Sequence, residues 1–143
     1  MVDSKTSYND RIHLILDSIE LRPFFNIQTW KGIFSVIQEW AMILIAAFLC
    51  ETYYHWSIYI ITVVFIGARY LALGLLMHES VHGLISKNKK INDLVGEVFC
   101  AWPVIVSMKS YKVKHLKHHQ CLNTDEDPDF TAKTDKNWQF PMP

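Results

Sequence analysis

Two long apolar stretches dominate the hydrophobic pattern of the chain. The first covers residues 32–50 and is interrupted by Gln38 and Glu39, and the second covers residues 58–77 and is interrupted only by Arg69. Each is about twenty residues long, the length at which a helix crosses roughly 30 Å of hydrocarbon. The pattern therefore predicts two membrane-spanning helices.

The segment between these stretches is short and aromatic. It reads ETYYHWS over residues 51–57 and predicts a turn at the membrane interface, where tyrosine and tryptophan are favoured. A soluble protein could bury a similar hairpin, but a chain of 143 residues would have little left to cover it. We therefore expect an all-α integral membrane protein, built from a helical hairpin with interfacial and cytoplasmic helices.

Positive charges flank the hairpin and are absent from its turn. By the positive-inside rule, both outer ends of the hairpin are expected in the cytoplasm. We expect the two charged residues within the apolar stretches, Glu39 and Arg69, to form an interhelical pair. The flanking Lys and Arg residues are Lys5, Arg11, Arg22 and Lys31 before the hairpin, and Lys87, Lys89, Lys90, Lys109, Lys112, Lys114 and Lys117 after it.

The stretches on either side of the hairpin predict smaller elements. Residues 1–31 are expected to be a cytoplasmic segment with a short amphipathic helix that ends at Arg22-Pro23. Residues 91–110 are apolar but irregular, and Pro103 should break or kink a helix there. We expect an interfacial or re-entrant segment, because a full crossing would separate the histidines on its two sides by the bilayer.

Composition narrows the function classes. The net charge is zero with histidine neutral, so no nucleic acid partner is indicated. The three cysteines, Cys50, Cys100 and Cys121, contain no CxxC pair, so neither a disulfide framework nor a cysteine zinc site is predicted.

Five of the seven histidines fall in two clusters. The first is HxxxH at residues 78–82 and closes the second apolar stretch, so on a continued helix its two histidines share one face. The second is HxxHH at residues 115–119, and on a helix Tyr111 lies in the same arc one turn earlier. Imidazole is a common metal ligand, but it suits zinc, copper, iron and nickel. The clusters predict a metal site of open identity, with His78, His82, His115, His118 and His119 as ligands.

The first cluster also spells HExxH, the zinc metalloprotease motif in which Glu79 would act as general base. The extended metzincin form fails, because Ile85 stands at its glycine position. A catalytic zinc needs one further protein ligand and an open position for water, whereas here three more histidines follow. The protease is therefore a distant alternative.

The paired clusters and their surroundings resemble the membrane fatty acid desaturases. The segment HESVHG at residues 78–83 is similar to that family's first histidine box, and residues 111–119 are similar to its second. Asn123-Thr124 and Asp127-Pro128-Asp129 resemble the segment that follows the second box, and residues 138–141 resemble the approach to further membrane segments. The likeness covers about residues 32–141, so residues 32–143 are expected to be a partial desaturase domain.

The resemblance implies an oxygen-dependent di-iron desaturase of membrane lipids. It implies a centre of two non-haem irons, with dioxygen as co-substrate and no catalytic residue beyond the metal ligands. The five histidines would be ligands of this centre, but five are too few for two irons with that family's coordination. It implies that Glu79 stands beside the ligands and orients them by a hydrogen bond. We expect Tyr111, from its place in the helical arc, and Asp127, in the acidic turn, to support the ligands too, although a solvated loop at Asp127 stays open. It also implies a fatty acyl substrate and an electron donor of the ferredoxin or cytochrome b5 type.

The family also has a third histidine box and a second membrane hairpin, which these residues do not include. We therefore expect the chain to be a fragment without activity of its own. Related membrane di-iron hydroxylases and carotenoid ketolases use similar boxes, so they stay open as alternatives. A non-catalytic remnant that only binds membrane or metal is a further alternative.

Overall fold

The structure is a computed structural model that describes residues 26–122 and 124–129. Over these residues all of the regular structure is helical, and the predicted all-α class is confirmed. The amphipathic helix predicted before Pro23 lies outside the described residues. The elements are α1 (Thr29–Thr52), α2 (Trp56–Val81), α3 (Lys89–Val95), a π-helical segment (Gly96–Ala101), a 3₁₀ turn (Trp102–Val104) and α4 (Met108–Gln120).

Helices α1 and α2 form the predicted hairpin. They contain 24 and 26 residues, and both are long and apolar enough to cross a membrane. At 1.5 Å per residue they measure about 36 and 39 Å, more than the hydrocarbon thickness of roughly 30 Å. Large apolar side chains stay exposed along both helices, for example Ile61 at 68% and Leu71 at 70%. Such a surface suits lipid rather than water.

An ion pair joins the two helices near their middles, as expected from the sequence. Arg69 Nη1 lies 3.3 Å from Glu39 Oε2, and the guanidinium also packs over the Phe65 ring with 5.2 Å to its centroid. A charge at this depth is costly unless it is paired, so each residue accounts for the presence of the other.

The first turn of α1 packs against the loop that follows α2. Thr29 Oγ1 accepts a hydrogen bond from the backbone N–H of Lys87 at 3.0 Å. A Cβ on Gly32 would lie 2.3 Å from the backbone oxygen of Ile85, so only glycine permits this approach. The outer ends of the hairpin therefore lie on one side.

Helix α2 ends in a Schellman motif directly after the first histidine cluster. The N–H of Gly83 bonds to the carbonyl of Ser80 at 2.9 Å, and the N–H of Leu84 bonds to that of Glu79 at 3.0 Å. Gly83 has a φ of 77°, which glycine adopts without steric cost. His82 is therefore the C-cap residue of α2.

The chain then enters and leaves a bent segment. The run Lys89–Val104 meets α4 at an angle of 98°, after the break expected at Pro103. Ile105 ends the 3₁₀ turn with a φ of 58°, a left-handed conformation that strains a β-branched residue. Because the segment turns back, α4 lies at the same end of the hairpin as His82, as a re-entrant path requires.

A small apolar core joins these elements beneath the histidines. It contains residues from both hairpin helices, the π-helical segment and the start of α4. Its buried members are Val36, Met77, Val81, Ile85, Cys100, Ala101 and Met108.

Candidate metal centre

Two helices bring four imidazoles together. His78 lies in the last turn of α2 and His82 caps it, while His115 and His119 lie one turn apart on α4. One ligand nitrogen from each of the four lies within 4.8 Å of the others. The predicted convergence of the two clusters is therefore present for these four residues.

The distances suit a shared cation. His82 Nε2 lies 2.8 Å from His115 Nε2, and His119 Nε2 lies 3.0 Å from the same atom. Adjacent nitrogens bound to one metal at about 2.0–2.1 Å are roughly 3 Å apart. Three Nε2 atoms thus face one point, so the donor set fits a metal that accepts imidazole.

His118 points away from this group. Its Nδ1 lies 2.8 Å from Asp127 Oδ1 and 3.6 Å from Asp129 Oδ2. Asp127 is 1% exposed, and it also accepts the backbone N–H of Asp129 at 2.8 Å. These three side chains form a second group with metal-ligand chemistry. The structure therefore places four of the five predicted ligands together and the fifth beside a buried carboxylate.

The other two residues predicted to support the ligands also contact histidines. Glu79 Oε1 lies 3.6 Å from His78 Nδ1, beyond hydrogen-bond range. The ring of Tyr111 stacks on His115 with centroids 5.1 Å apart, and its hydroxyl lies 3.5 Å from His115 Nδ1, the long limit of a hydrogen bond. Tyr111 thus fixes the plane of the His115 ring by stacking.

Burial and mutual repulsion keep the central imidazoles neutral. Partial burial, followed by the charge of His78, lowers the pKa of His82. The same two causes lower the pKa of His115. Neutral imidazole is the form that binds metal, so both residues hold this form to lower pH than an ordinary histidine.

The arrangement does not favour a zinc protease. Such a site holds zinc with three protein ligands and leaves a fourth position for water. Here four imidazoles converge, which would close a tetrahedral zinc site.

The sequence does not single out Asn92, and it indicates Asp129 only as a member of the acidic turn after the second histidine cluster. Asn92 is 2% exposed and contacts the end of α2, and Asp129 stands beside His118. A single asparagine inside the apolar stretch 91–110 was the available signal for the first. The contact of Asp129 with His118 depends on how the loop after α4 folds back against that helix.

The family model and the two relatives described next are all desaturases. A family model described as fatty acid desaturase matches residues 54–143. Dihydrorhizobitoxine desaturase of Bradyrhizobium elkanii is 30% identical over 112 residues, which are 77% of this chain and 30% of that protein. Omega-3 fatty acid desaturase fat-1 of Caenorhabditis elegans is 26% identical over 112 residues, 76% of this chain and 28% of that protein.

A relative of another reaction class also matches. Beta-carotene ketolase of a Paracoccus species is 30% identical over 77 residues, 52% of this chain and 32% of that protein. The chain thus spans between 28% and 32% of the length of these three relatives. No solved structure matches it.

Proposed function

Because this chain belongs to the fatty acid desaturase family, we propose that it supplies part of the metal centre of an oxygen-dependent desaturase of membrane lipids. In this proposal residues 32–143 are one part of a desaturase domain, and residues 1–31 are a cytoplasmic segment that precedes it. The observation that carries the proposal is the convergence of four imidazoles at one end of a membrane hairpin.

The proposed ligands are the five histidines of the two clusters, His78, His82, His115, His118 and His119, and the proposed cofactor is a pair of non-haem irons. When bound, this pair supplies the reductive activation of dioxygen that removes hydrogen from an unactivated C–H bond. The four converging imidazoles suffice for one ion. A second ion needs His118 and further ligands, so activity is proposed for the protein with its full ligand set.

The chain's own residues orient these ligands. Asp127 accepts a hydrogen bond from His118 Nδ1, which leaves Nε2 of that ring as its metal-binding atom. Stacking of Tyr111 holds His115, and the Schellman motif at Gly83 holds His82 at the helix end.

An apolar cavity beside α2 supports an acyl substrate. It is a shallow depression that is largely open to the outside, has a volume of about 520 Å³ and is lined by residues that include Gly74, Pro103 and Ile105. Gly74 precedes His78 by one helical turn on the same face, and a Cβ there would meet nothing within 4 Å. A saturated chain lying along Gly74 would reach the histidines from the membrane.

The charge pattern supports a cytoplasmic site and a protein electron donor. The turn at Tyr53, Tyr54 and His55 carries no Lys or Arg, whereas Lys residues cluster around the opposite end. By the positive-inside rule that end faces the cytoplasm. We propose a ferredoxin or cytochrome b5 type donor there; one relative, from Helianthus annuus, has ferredoxin in its name.

A second candidate is ketolation or hydroxylation of an apolar substrate, which the match to a beta-carotene ketolase favours. Mass spectrometry of membrane lipids from the source organism separates these reactions. The desaturase predicts products two hydrogens lighter that disappear when the gene carries His78→Ala or His115→Ala. Products one oxygen heavier would identify a hydroxylase instead, and products with one oxygen more and two hydrogens fewer would identify a ketolase. Unchanged lipids in both variants would contradict an oxidative role altogether.

A further inference from the structure

A buried asparagine on α3 contacts the back of the first histidine cluster. Asn92 Nδ2 donates to the carbonyl of Ser80 at 2.8 Å, and its Oδ1 accepts the N–H of Ile85 at 3.2 Å. Its own carbonyl accepts a hydrogen bond from Ser80 Oγ at 2.9 Å. Ser80 is completely buried and Asn92 is 2% exposed.

These hydrogen bonds fix the position and rotation of the end of α2 relative to α3. Ser80 lies between His78 and His82 in sequence, and a residue two positions on points to the opposite side of a helix. A buried amide is costly unless its donor and acceptor are both satisfied. Here Ser80 in α2 and Ile85 in the loop after it satisfy the two. An apolar residue would fill the same volume and let the helix end slide or rotate.

The same point touches the helix that carries the second cluster. Met108 begins α4, and its Sδ lies 3.3 Å from Ser80 Oγ. A Cβ on Gly96 would lie 1.9 Å from Ser80 Oγ and 2.6 Å from Met108 Sδ. The α2 end, the π-helical segment and α4 therefore meet at Ser80 with no spare space.

We propose that Asn92, with Ser80 and Gly96, is a latch that sets the angle between α2 and α4 and thereby the spacing of the imidazoles. Asn92 is a positioning residue, since it acts on the histidines only through Ser80 and Ile85. The inference deepens the proposed function and rests on it for its catalytic meaning. The interhelical geometry itself can be tested without any metal.

The chain offers a matched control. Asn88 is an exposed asparagine that precedes α3, and its Oδ1 accepts the N–H groups of Lys90 and Ile91 at 3.0 and 3.3 Å. Asn88→Ala weakens the start of the same helix by loss of its cap without touching α2. Ser80→Ala is a milder variant of the latch, because it removes only the hydroxyl.

The first readout is the distance between spin labels on α2 and α4. Labels at Ile61→Cys and Val113→Cys, both exposed positions, are placed in a background with Cys50, Cys100 and Cys121 replaced by alanine. Ile61 lies about 28 Å along α2 from Ser80, so a small change in angle moves this label far. Pulsed dipolar spectroscopy of the full chain in lipid nanodiscs should show one narrow distance, broadened by Asn92→Ala and unaffected by Asn88→Ala.

The second readout is titration of the same variants with Co²⁺. Asn92→Ala should weaken cobalt binding about tenfold and change the visible d–d spectrum, as loss of support around ligands does. Asn88→Ala, remote from the ligands, should stay within about twofold of the parent. Ser80→Ala should broaden the distance distribution and weaken cobalt binding in the same way as Asn92→Ala, but less. If Asn92→Ala fails to fold, Ser80→Ala becomes the test of the latch.

An unchanged distance distribution in Asn92→Ala, or an equal broadening in Asn88→Ala, would overturn the latch. If the parent binds no cobalt while Asn92→Ala still broadens the distance, the proposed metal site fails and the latch stands as an interhelical device. If cobalt binds normally in a broadened Asn92→Ala variant, the latch does not set the imidazole spacing and the inference is wrong.

Discussion

Replacement of Gly96 by alanine should disrupt the junction beneath the histidines. Gly96 lies in the π-helical segment, and an added Cβ would stand 1.9 Å from Ser80 Oγ and 2.5 Å from Ser80 Cβ. These distances are far below ordinary van der Waals contact. Either Ser80 must turn away or the segment must move off α2.

These contacts determine how much free energy of unfolding Gly96→Ala removes. Forcing one extra carbon into a packed core typically costs about 1–3 kcal/mol. If Ser80 moves, its hydrogen bond to the Asn92 carbonyl is also lost, at about 1 kcal/mol. We therefore expect Gly96→Ala to lower the free energy of unfolding by about 2–4 kcal/mol.

Unfolding by SDS from mixed micelles, followed by circular dichroism, measures this free energy. Gly67→Ala is the matched control, because Gly67 lies within α2 and a Cβ there meets nothing within 4 Å. Alanine at such a helical position should leave stability equal or raise it by up to about 1 kcal/mol. Adding Ser80→Gly to Gly96→Ala removes the clashing atoms and should recover part of the loss. Equal stability of Gly96→Ala and Gly67→Ala would refute the close packing at Ser80.

Three further predictions concern the hairpin, the cavity and the second carboxylate group. Arg69→Met alone should destabilise the protein by about 3 kcal/mol, because it leaves the half-buried Glu39 without its partner, whereas the double replacement with Glu39→Gln should cost less. The same SDS unfolding measures these losses, and additive losses would contradict the pairing. Gly74→Phe should fill the cavity beside α2 and displace the acyl chain, so the formation of desaturated lipid in native membranes should fall at least about tenfold. The metal content should stay unchanged, and full activity would exclude that cavity as the substrate path. Asp127→Ala should weaken the binding of a cobalt ion at His118 about 10–100-fold by freeing that ring, and it should leave the ion held by the four converging imidazoles unaffected. Asp125→Ala, which removes an exposed carboxylate of the same turn, should change neither ion; equal effects of the two variants would exclude Asp127 from the site.

The hairpin could be predicted from sequence because length and apolarity alone determine whether a helix can span a bilayer. The pairing of Glu39 with Arg69 followed from the cost of an isolated charge at that depth. Convergence of His78 and His82 followed from helical periodicity, since α2 continues through the first of them to Val81.

Features that depend on tertiary contacts could not be predicted in this way. His118 lies one residue from His119, about 100° around the helix, and its contact with Asp127 requires the loop after α4 to return. Pro103 predicted a break, but the 98° bend also depends on the left-handed conformation of Ile105. The role of Asn92 is visible only when Ser80 and Ile85 are seen beside it.

X-ray absorption spectroscopy of the Zn²⁺-loaded chain would examine the shared imidazole site most directly. We expect a first shell of nitrogen atoms at about 2.0–2.1 Å, with the outer-shell scattering of several imidazole rings. That scattering should fall when His115, the ring nearest to both His82 and His119, is replaced by alanine. A sulfur ligand, or a shell of oxygens that His115→Ala leaves unchanged, would contradict a metal held between α2 and α4.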